Sequence, residues 1–395
     1  MSATLLPKSF DVENFLAEYW QKKPLLIRGN GSFVDPLDQD ELAGMACEEF
    51  IESRLILSDP ARERWTLRNG PFPEAELRAL PESHWSLLIQ AADQWDEGAR
   101  EILESFDFIP RWRIDDLMIS LASDGGGVGP HFDYYDVFLI QGLGKKRWRL
   151  GGHVDSDSPL RSDTDLKLLS EFLAQEDWIV EPGDILYIPP NFAHYGLAIG
   201  TSITYSVGFR TPSVAELLDD VSNELIESLR EDERYIDTSP RRPERIGEIS
   251  ADVNEQVLAL LQQRLLDKAL VSRSFGKYMT QAKYPDLIAT PTPLDTAALI
   301  ALLDDGAPLQ RHPIARFAFT QHSDGSTELF AGGHSFVSPA SFEATLETLC
   351  DPFAQEPDWA KLCHADKNNA QLILALYNQG SLWIADTLDE EDEAE

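Results

Sequence analysis

The stretch from residue 125 to residue 151, GGGVGPHFDYYDVFLIQGLGKKRWRLG, constrains the fold of this 395-residue chain more than any other. Residues 137–140 are four consecutive apolar residues, which is typical of a strand buried on both faces. A Gly-Leu-Gly turn at 142–144 then reverses the chain. Basic and apolar residues alternate after this turn and place Lys146 on the same face as Trp148. The stretch therefore predicts two neighbouring strands that carry polar groups towards an apolar interior.

Short strands separated by glycine and proline turns continue beyond this stretch. Residues 178–194 indicate two strands joined by a Pro-Gly-Asp turn, and residues 202–210 alternate like another strand. Such a series predicts an antiparallel barrel or sandwich in the N-terminal half of the chain. We expect residues 73–105 and 163–175 to be mainly helical.

The pattern changes after residue 212. Apolar residues recur at helical spacing in 214–229 and 255–277, which predicts a helical pair that either forms an oligomer or domain interface or covers the barrel. Later segments alternate helices with a small hairpin, as in a winged helix. We therefore predict an α+β chain with these parts: a barrel domain at 1–212, a helical region at 213–284, a winged-helix-like domain at 285–388 and an acidic tail at 389–395.

Three side chains that suit a metal ion lie at the ends of predicted strands. His131 and Asp133 are two residues apart on an extended segment, so both side chains leave the same face, and His194 follows a buried strand. Three other His-x-Asp pairs occur in polar stretches, where surface positions are the simpler interpretation. Two imidazoles and one carboxylate form the facial triad that binds non-haem Fe(II) with positions left open. We therefore predict an iron site at His131, Asp133 and His194.

Lys146 adds a positive charge to the same pair of strands. A lysine on an inward face pairs with a carboxylate as a point charge. The alternative is a surface lysine, because Lys145 and Arg147 flank it. Alternation favours the inward position, so the sequence predicts an anionic ligand close to the metal.

The charge composition restricts the class of partner. The net charge is −35, which opposes binding to nucleic acids or to anionic membranes. A basic protein would complement this charge, and solubility or adaptation to a salty habitat is the equal alternative. The three cysteines have no paired spacing, which indicates a reducing compartment. We expect no signal peptide and no membrane span, since the first residues lack the signal pattern and no apolar run reaches 18 residues. These features predict a cytoplasmic protein.

Four segments together resemble the Jumonji-C (JmjC) family of Fe(II)/2-oxoglutarate oxygenases, whose fold is a double-stranded β-helix. They are YWQKKPLLIRG at 19–29, GPHFDYYDVFLIQGLGKKRWRL at 129–150, EPGDILYIPPNFAHYG at 181–196 and SITYSVGFR at 202–210. The GGGVGPH run and the order of domains are similar to those of the bacterial ribosomal oxygenases. That resemblance implies hydroxylation of an arginine in the sixteenth protein of the large ribosomal subunit, with Fe(II) bound and with 2-oxoglutarate and dioxygen as cosubstrates.

The resemblance also implies roles for further residues. Lys146 and Ser202 would hold the distal carboxylate of 2-oxoglutarate. Close relatives can have arginine in place of Lys146, so the charge is retained while the bidentate geometry is lost. Asp124 would pair with a guanidinium at the substrate mouth, and a turn role is the equal alternative. Tyr134 and Gln141 are further candidates for the substrate pocket.

Partners follow from the same resemblance. It implies a homodimer formed through the helical region and a basic ribosomal protein as the substrate. Direct DNA binding by the winged helix is not expected, because residues 285–395 contain four Lys/Arg against nineteen Asp/Glu.

Three other functions stay open at this point. A cupin-like isomerase or dioxygenase would need neither 2-oxoglutarate nor a buried lysine. A metal-binding cupin regulator would act through DNA binding by the winged helix. A hydroxylase of the same fold would act on a histidine or lysine of another protein, and sequence separates it poorly because loops around the mouth select the substrate.

Overall fold

The computed structural model describes residues 5–29, 31, 33–237, 242, 245–265 and 267–385. The predicted acidic tail at 389–395 lies outside the described residues. The chain divides into two compact units, Met1–Thr211 and Pro212–Glu395. The first unit is mostly antiparallel sheet, and the second combines helices with small sheets. The predicted α+β class is therefore confirmed.

The first unit contains eleven strands among its described residues. They are β1 (Leu25–Ile27), β2 (Ser53–Asp59), β3 (Arg64–Asn69), β4 (Trp85–Ile89), β5 (Ile114–Ala122), β6 (Val137–Gln141), β7 (Lys145–His153), β8 (Glu176–Val180), β9 (Ile185–Ile188), β10 (Phe192–Ile199) and β11 (Ser202–Phe209). One sheet has the order β1-β9-β6-β11-β5-β4-β2-β3 and the other has the order β10-β7-β8. All neighbours are antiparallel.

The burial of the strands follows the sequence pattern. β6 and β9 are buried along their whole length, as their continuous apolar character predicts, and β11 is also wholly buried although its sequence alternates. β7 alternates instead, with Lys146, Trp148 and Leu150 buried and the intervening residues more exposed. Lys146 is therefore on the interior face of β7, as alternation predicted.

Four short helices accompany these strands. They are α1 (Val12–Glu18), α2 (Gln39–Met45), α3 (Glu74–Arg78) and α4 (Glu97–Ile102). The prediction of a mainly helical region at 73–105 is wrong in its centre, because β4 lies there and pairs with β2 and β5. The helix predicted at 163–175 is also wrong, since this segment is a loop with one bridge between Leu160 and Leu169.

The second unit begins with three helices and continues with a mixed domain. Its helices are α5 (Val214–Ser228), α6 (Ala251–Leu265), α7 (Lys268–Thr280), α8 (Thr296–Asp304), α9 (Glu343–Cys350), α10 (Trp359–Ala365) and α11 (Lys367–Asn378). Its strands are β12 (Leu309–Arg311), β13 (Phe317–Gln321), β14 (Thr327–Ala331), β15 (His334–Ser338) and β16 (Leu382–Ile384). β12 pairs with β16, and β13, β14 and β15 form a second sheet.

The helix predicted at 255–277 is in fact two helices. Asp267 begins the second of them, because its carboxylate accepts hydrogen bonds from the amides of Ala269 and Leu270 and so satisfies the first turn of α7. Within the described residues, no helix is both long enough and apolar enough to cross a membrane.

Candidate metal centre

His131, Asp133 and His194 meet at one point of the first unit. One ligand atom from each residue lies within 4.8 Å of the other two. Nε2 of His194 is 3.5 Å from a carboxylate oxygen of Asp133, and the two imidazole centroids are 4.2 Å apart. His194 is buried, while the other two are partly buried. The arrangement offers two imidazole nitrogens and one carboxylate to a single ion.

Backbone pairing fixes the two histidines. The amide of each donates to the carbonyl of the other, at 3.0 and 2.8 Å. Nδ1 of His131 lies 2.9 Å from the carbonyl oxygen of Gly129, and Nδ1 of His194 lies 2.9 Å from that of Phe192. Since a carbonyl only accepts hydrogen bonds, each Nδ1 carries the proton and each Nε2 keeps a lone pair for a metal.

The glycine turn before His131 permits a close approach of backbones. A Cβ on Gly127 would lie 2.2 Å from the carbonyl oxygen of Gly196 in β10. Any side chain at Gly127 would therefore push the segment that leads to His131 away from the strand that carries His194. The glycine run thus sets the distance between the two histidines.

Burial prepares His194 for metal binding. Desolvation, and then the charge of neighbouring His131, lower the pKa of His194 to about 4. The charge of Asp133 acts in the opposite direction but does not cancel this effect. The ring is therefore neutral at physiological pH, and a metal ion does not compete with a proton there.

Tyr135 is a neighbour that the sequence prediction missed. The charge of Asp133, then burial and the charge of Asp116, raise the pKa of Tyr135 well above its usual value, and its hydroxyl hydrogen-bonds to Asp133. The ring remains 43% exposed, so the residue links the metal site to the surface. Nothing in the sequence distinguishes it from Tyr134, which is 53% exposed and contacts Phe132 edge-on.

Lys146 lies in an enclosed polar pocket. Its amine donates to the hydroxyls of Ser120 and Thr204, both at 3.3 Å, and lies 5.1 Å from the ring centroid of Trp148. Among the described residues it has no carboxylate partner within 4 Å. Burial lowers the pKa of Lys146 to about 8. The Trp148 ring is in turn 6.0 Å from that of His194, so it lies between the lysine and the metal ligands.

Ser202 and Gln141 are joined to each other inside the same unit. The side-chain amide of Gln141 donates to Oγ of Ser202 at 3.0 Å, and its oxygen accepts from Thr204 at 3.3 Å. Gln141 also donates to two backbone carbonyls and is fully buried. Every polar atom of the Gln141 side chain is engaged internally, and its predicted substrate contact stays a prediction. Gln141 orients Ser202 and Thr204.

Asp124 is exposed at the start of the glycine turn. One carboxylate oxygen accepts a hydrogen bond from the amide of Gly200 at 2.8 Å, which matches a turn role. The second oxygen has no hydrogen-bond partner among the described residues. Substrate binding by Asp124 and Tyr134 stays a prediction.

Comparisons with known proteins agree with this geometry. Residues 101–217 match the JmjC domain family, and residues 259–383 match the ROXA-like winged helix family. The chain is 39% identical over 287 residues to the ribosomal protein uL16 3-hydroxylase of Escherichia coli, a match that covers 71% of this chain and 74% of that protein. It is 32% identical over 377 residues to a probable ribosomal oxygenase of Haemophilus influenzae, covering 90% and 89% of the two chains.

A solved structure extends the likeness to nearly the whole chain. The structure of YcfD, a ribosomal oxygenase from Escherichia coli, in complex with cobalt and 2-oxoglutarate superimposes with a TM-score of 0.80 at 31% identity, and covers 95% of this chain and 98% of that one. The order of the two family matches and the extent of these relatives lead to one conclusion. The chain belongs to the JmjC-domain ribosomal oxygenase family.

Proposed function

We propose that this protein is an Fe(II)- and 2-oxoglutarate-dependent hydroxylase of the ribosomal protein uL16, with an arginine side chain as the target. The observation that carries the proposal is a buried lysine that has no anionic partner among the described residues and is separated by one tryptophan ring from a His/Asp/His cluster. An enzyme that binds a metal and a dicarboxylate together needs both features. A metal-binding regulator or an isomerase of the same fold needs only the His/Asp/His cluster.

The residues present fit these groups. Two neutral imidazoles and a carboxylate are the donor set of non-haem Fe(II) sites with open positions. Lys146 is a desolvated cation whose hydrogen-bond partners among the described residues are two hydroxyls, and such a charge is stabilised by an anion of the ligand. Nε1 of Trp148 is buried and has no hydrogen-bond partner among the described residues, so it offers a further donor in the same space. A cosubstrate with two carboxylates satisfies these demands.

The protein's own contribution is binding and orientation. We assign the metal to His131, Asp133 and His194 and the distal carboxylate of 2-oxoglutarate to Lys146 and Ser202. Bound Fe(II) supplies oxidative decarboxylation of 2-oxoglutarate and hydroxylation of an unactivated C–H bond with dioxygen. The buried walls exclude water from this space, and the fixed ligands position one substrate carbon.

Charge supports a basic ribosomal protein as the substrate. The net charge of −35 attracts a cationic partner, and the free oxygen of Asp124 offers an acceptor to a guanidinium. Tyr134 is the second residue assigned to the substrate, since its exposed ring follows the ligand Asp133 directly. The E. coli relative named for uL16 hydroxylation supports the same target.

Mass spectrometry tests the reaction and the target together. The purified protein is incubated in air with Fe(II), 2-oxoglutarate and either uL16 or peptides of other ribosomal proteins, with an anaerobic control. A gain of one oxygen on an arginine of uL16, together with succinate, is the expected result. Oxygen on a histidine of another protein would change the target, and no succinate with any substrate would refute the reaction.

A homodimer formed by the helical region is part of the proposal. Several apolar side chains of α5 and α6 are exposed, which is unusual for helices of a monomer. They are Val214, Leu218 and Ile226 of α5, and Val257, Leu258, Leu260 and Leu261 of α6. Light scattering should give twice the chain mass, and Leu258→Glu together with Leu261→Glu should give the monomer mass.

We assign residues 1–212 to the JmjC domain, 213–284 to the helical region, 285–388 to the winged helix and 389–395 to an acidic tail. The division into units after Thr211 supports the first boundary, while the winged-helix family match begins earlier, at residue 259. A cytoplasmic location suits a ribosomal substrate. The acidic winged helix suits protein contacts and opposes direct DNA binding.

A further inference from the structure

A groove in the second unit brings its apolar core to the surface. It lies between β13 and α9, with a volume of about 510 Å³. Phe319 and Leu346 contribute apolar walls, and Gln321, Glu343 and Glu347 contribute polar ones. The groove belongs entirely to the winged-helix domain and is separate from the proposed metal centre.

Phe319 is the exposed part of an otherwise covered apolar face. It pairs with Leu329 of β14, which is fully buried, and lies two residues from Phe317 on the same face of β13. Phe317 and Leu346 belong to the domain core, yet Phe319 is 36% exposed. An apolar side chain of a partner would remove the Phe319 ring from water and complete this face.

Two carboxylates border the groove on the side of α9. Glu343 and Glu347 are one helical turn apart and both exposed, and the amide of Gln321 donates to Glu343 at 2.9 Å. No Lys or Arg is among the residues that line the groove. The surrounding domain carries four Lys/Arg against twelve Asp/Glu in residues 285–385. Electrostatic complementarity therefore selects a cationic partner and excludes nucleic acid.

We propose that this groove docks a basic segment of the ribosomal protein substrate, at a distance from the residue that is hydroxylated. An apolar side chain of that segment covers Phe319, and a Lys or Arg pairs with Glu347. The inference rests on the proposed function for the identity of the partner. The winged helix then takes part in capture of the full-length substrate. A short peptide that contains only the target site lacks the docking segment and does not depend on the groove.

The affinity for uL16, measured in the absence of turnover, tests whether the groove captures the substrate. Fluorescence anisotropy gives Kd for labelled full-length uL16 with the full-length protein and with its Glu347→Lys and Phe319→Ser variants. Asp305→Lys is the matched control, since Asp305 is an exposed acidic residue of the same domain outside the groove. Each groove variant should raise Kd for uL16 at least about thirtyfold, the size of an interface hot spot. Hydroxylation of a short target peptide should not change.

Two outcomes would contradict docking of uL16 in the groove. If the Kd values of both groove variants match that of Asp305→Lys, the groove does not dock uL16. If the variants change the oligomeric mass instead, the occupant is a second copy of the chain and the inference is wrong. Failure of the proposed function would appear differently, as uL16 that binds through the groove without gaining oxygen.

Discussion

Replacing Lys146 with methionine should stabilise the protein without cosubstrate and weaken 2-oxoglutarate binding. Methionine fills a similar volume and carries no charge. In the free protein the lysine amine is buried, and two hydroxyls are its hydrogen-bond partners among the described residues. The charge is therefore a cost to folding that only an anionic ligand offsets. Opposite effects on stability and on binding would distinguish a binding lysine from a structural one.

The pKa of Lys146 sets the size of the stability effect. Burial lowers it from 10.5 to about 8, and at about 1.4 kcal/mol per pKa unit this corresponds to about 3 kcal/mol. The unfolded chain binds more protons than the folded one between these two values, so the stability of the wild-type protein rises with pH there. Below pH 8 the full cost is present. The advantage of Lys146→Met should therefore be largest at pH 7 and disappear above pH 10.

The loss of 2-oxoglutarate affinity follows from the ligand carboxylate that Lys146→Met would leave without its cation. Removing one member of a buried ion pair costs about 3–5 kcal/mol, or about two to nearly four orders of magnitude in affinity. We expect the Kd and KM for 2-oxoglutarate to rise by about that factor while metal affinity stays within a few-fold.

Urea unfolding of the free protein at pH 7 and pH 10, and anaerobic titration of 2-oxoglutarate, measure the two effects. Lys145→Met is the control, because Lys145 is exposed on the same strand and pairs with Glu181 at the surface. An unchanged 2-oxoglutarate affinity in Lys146→Met would remove Lys146 from the cosubstrate site. A fall in stability at pH 7 would mean that the ammonium is already compensated in the free protein.

Three further substitutions test the site. Asp133→Ala should leave the fold intact and lower metal affinity by more than about 100-fold in a cobalt titration, and wild-type affinity would remove it from the ligand set. Gln141→Met should lower the free energy of unfolding by about 1–3 kcal/mol, because it leaves the buried Ser202 hydroxyl unpaired; a change in substrate choice at unchanged stability would support the predicted substrate role. Gly196→Ala should raise the KM for 2-oxoglutarate, since its Cβ would lie 2.7 Å from the Trp148 ring; an unchanged KM would contradict the proposed pocket.

The sequence was most informative where a pattern is local. Continuous apolar residues predicted the buried strand β6, and alternation predicted the inward position of Lys146, because both depend on one strand alone. The three ligands of the predicted metal site were also recognisable, since His131 and Asp133 follow the glycine turn and His194 follows two prolines, although His194 lies within β10 and not at the end of the strand predicted there. The structure brings their ligand atoms together.

Local sequence patterns failed where the pairing of strands that are distant in the sequence determines the structure. The segment Trp85–Ile89 is short and apolar, and such a run does not distinguish helix from strand. Its pairing with β2 and β5 makes it a strand. Ser120 and Thr204 were missed for the same reason, because only the pairing of β11 with β5 brings them together beside Lys146. Gln141 ends a wholly buried strand, which already indicated internal hydrogen bonds, and its substrate contact stays a prediction.

The pairing of β7 with β10 explains how one lysine and one metal ligand come to share a ligand pocket. His194 is opposite Leu150 and Lys146 is opposite Ala198, so the two are four residues apart along the ladder, or roughly 13 Å. Between them Trp148 is opposite Gly196, and the inward positions of β10 after His194 are glycine and alanine. The Trp148 ring and the Lys146 side chain pack directly over Gly196, where a Cβ would lie 2.7 Å from the ring and 3.0 Å from Cε of the lysine. The register therefore holds the lysine and the metal ligand on one inner face, at the two positions that we assign to the ends of a short dicarboxylate. The strand pair that orients the metal ligand His194 therefore also holds the Lys146 cation, which we assign to the far end of the cosubstrate.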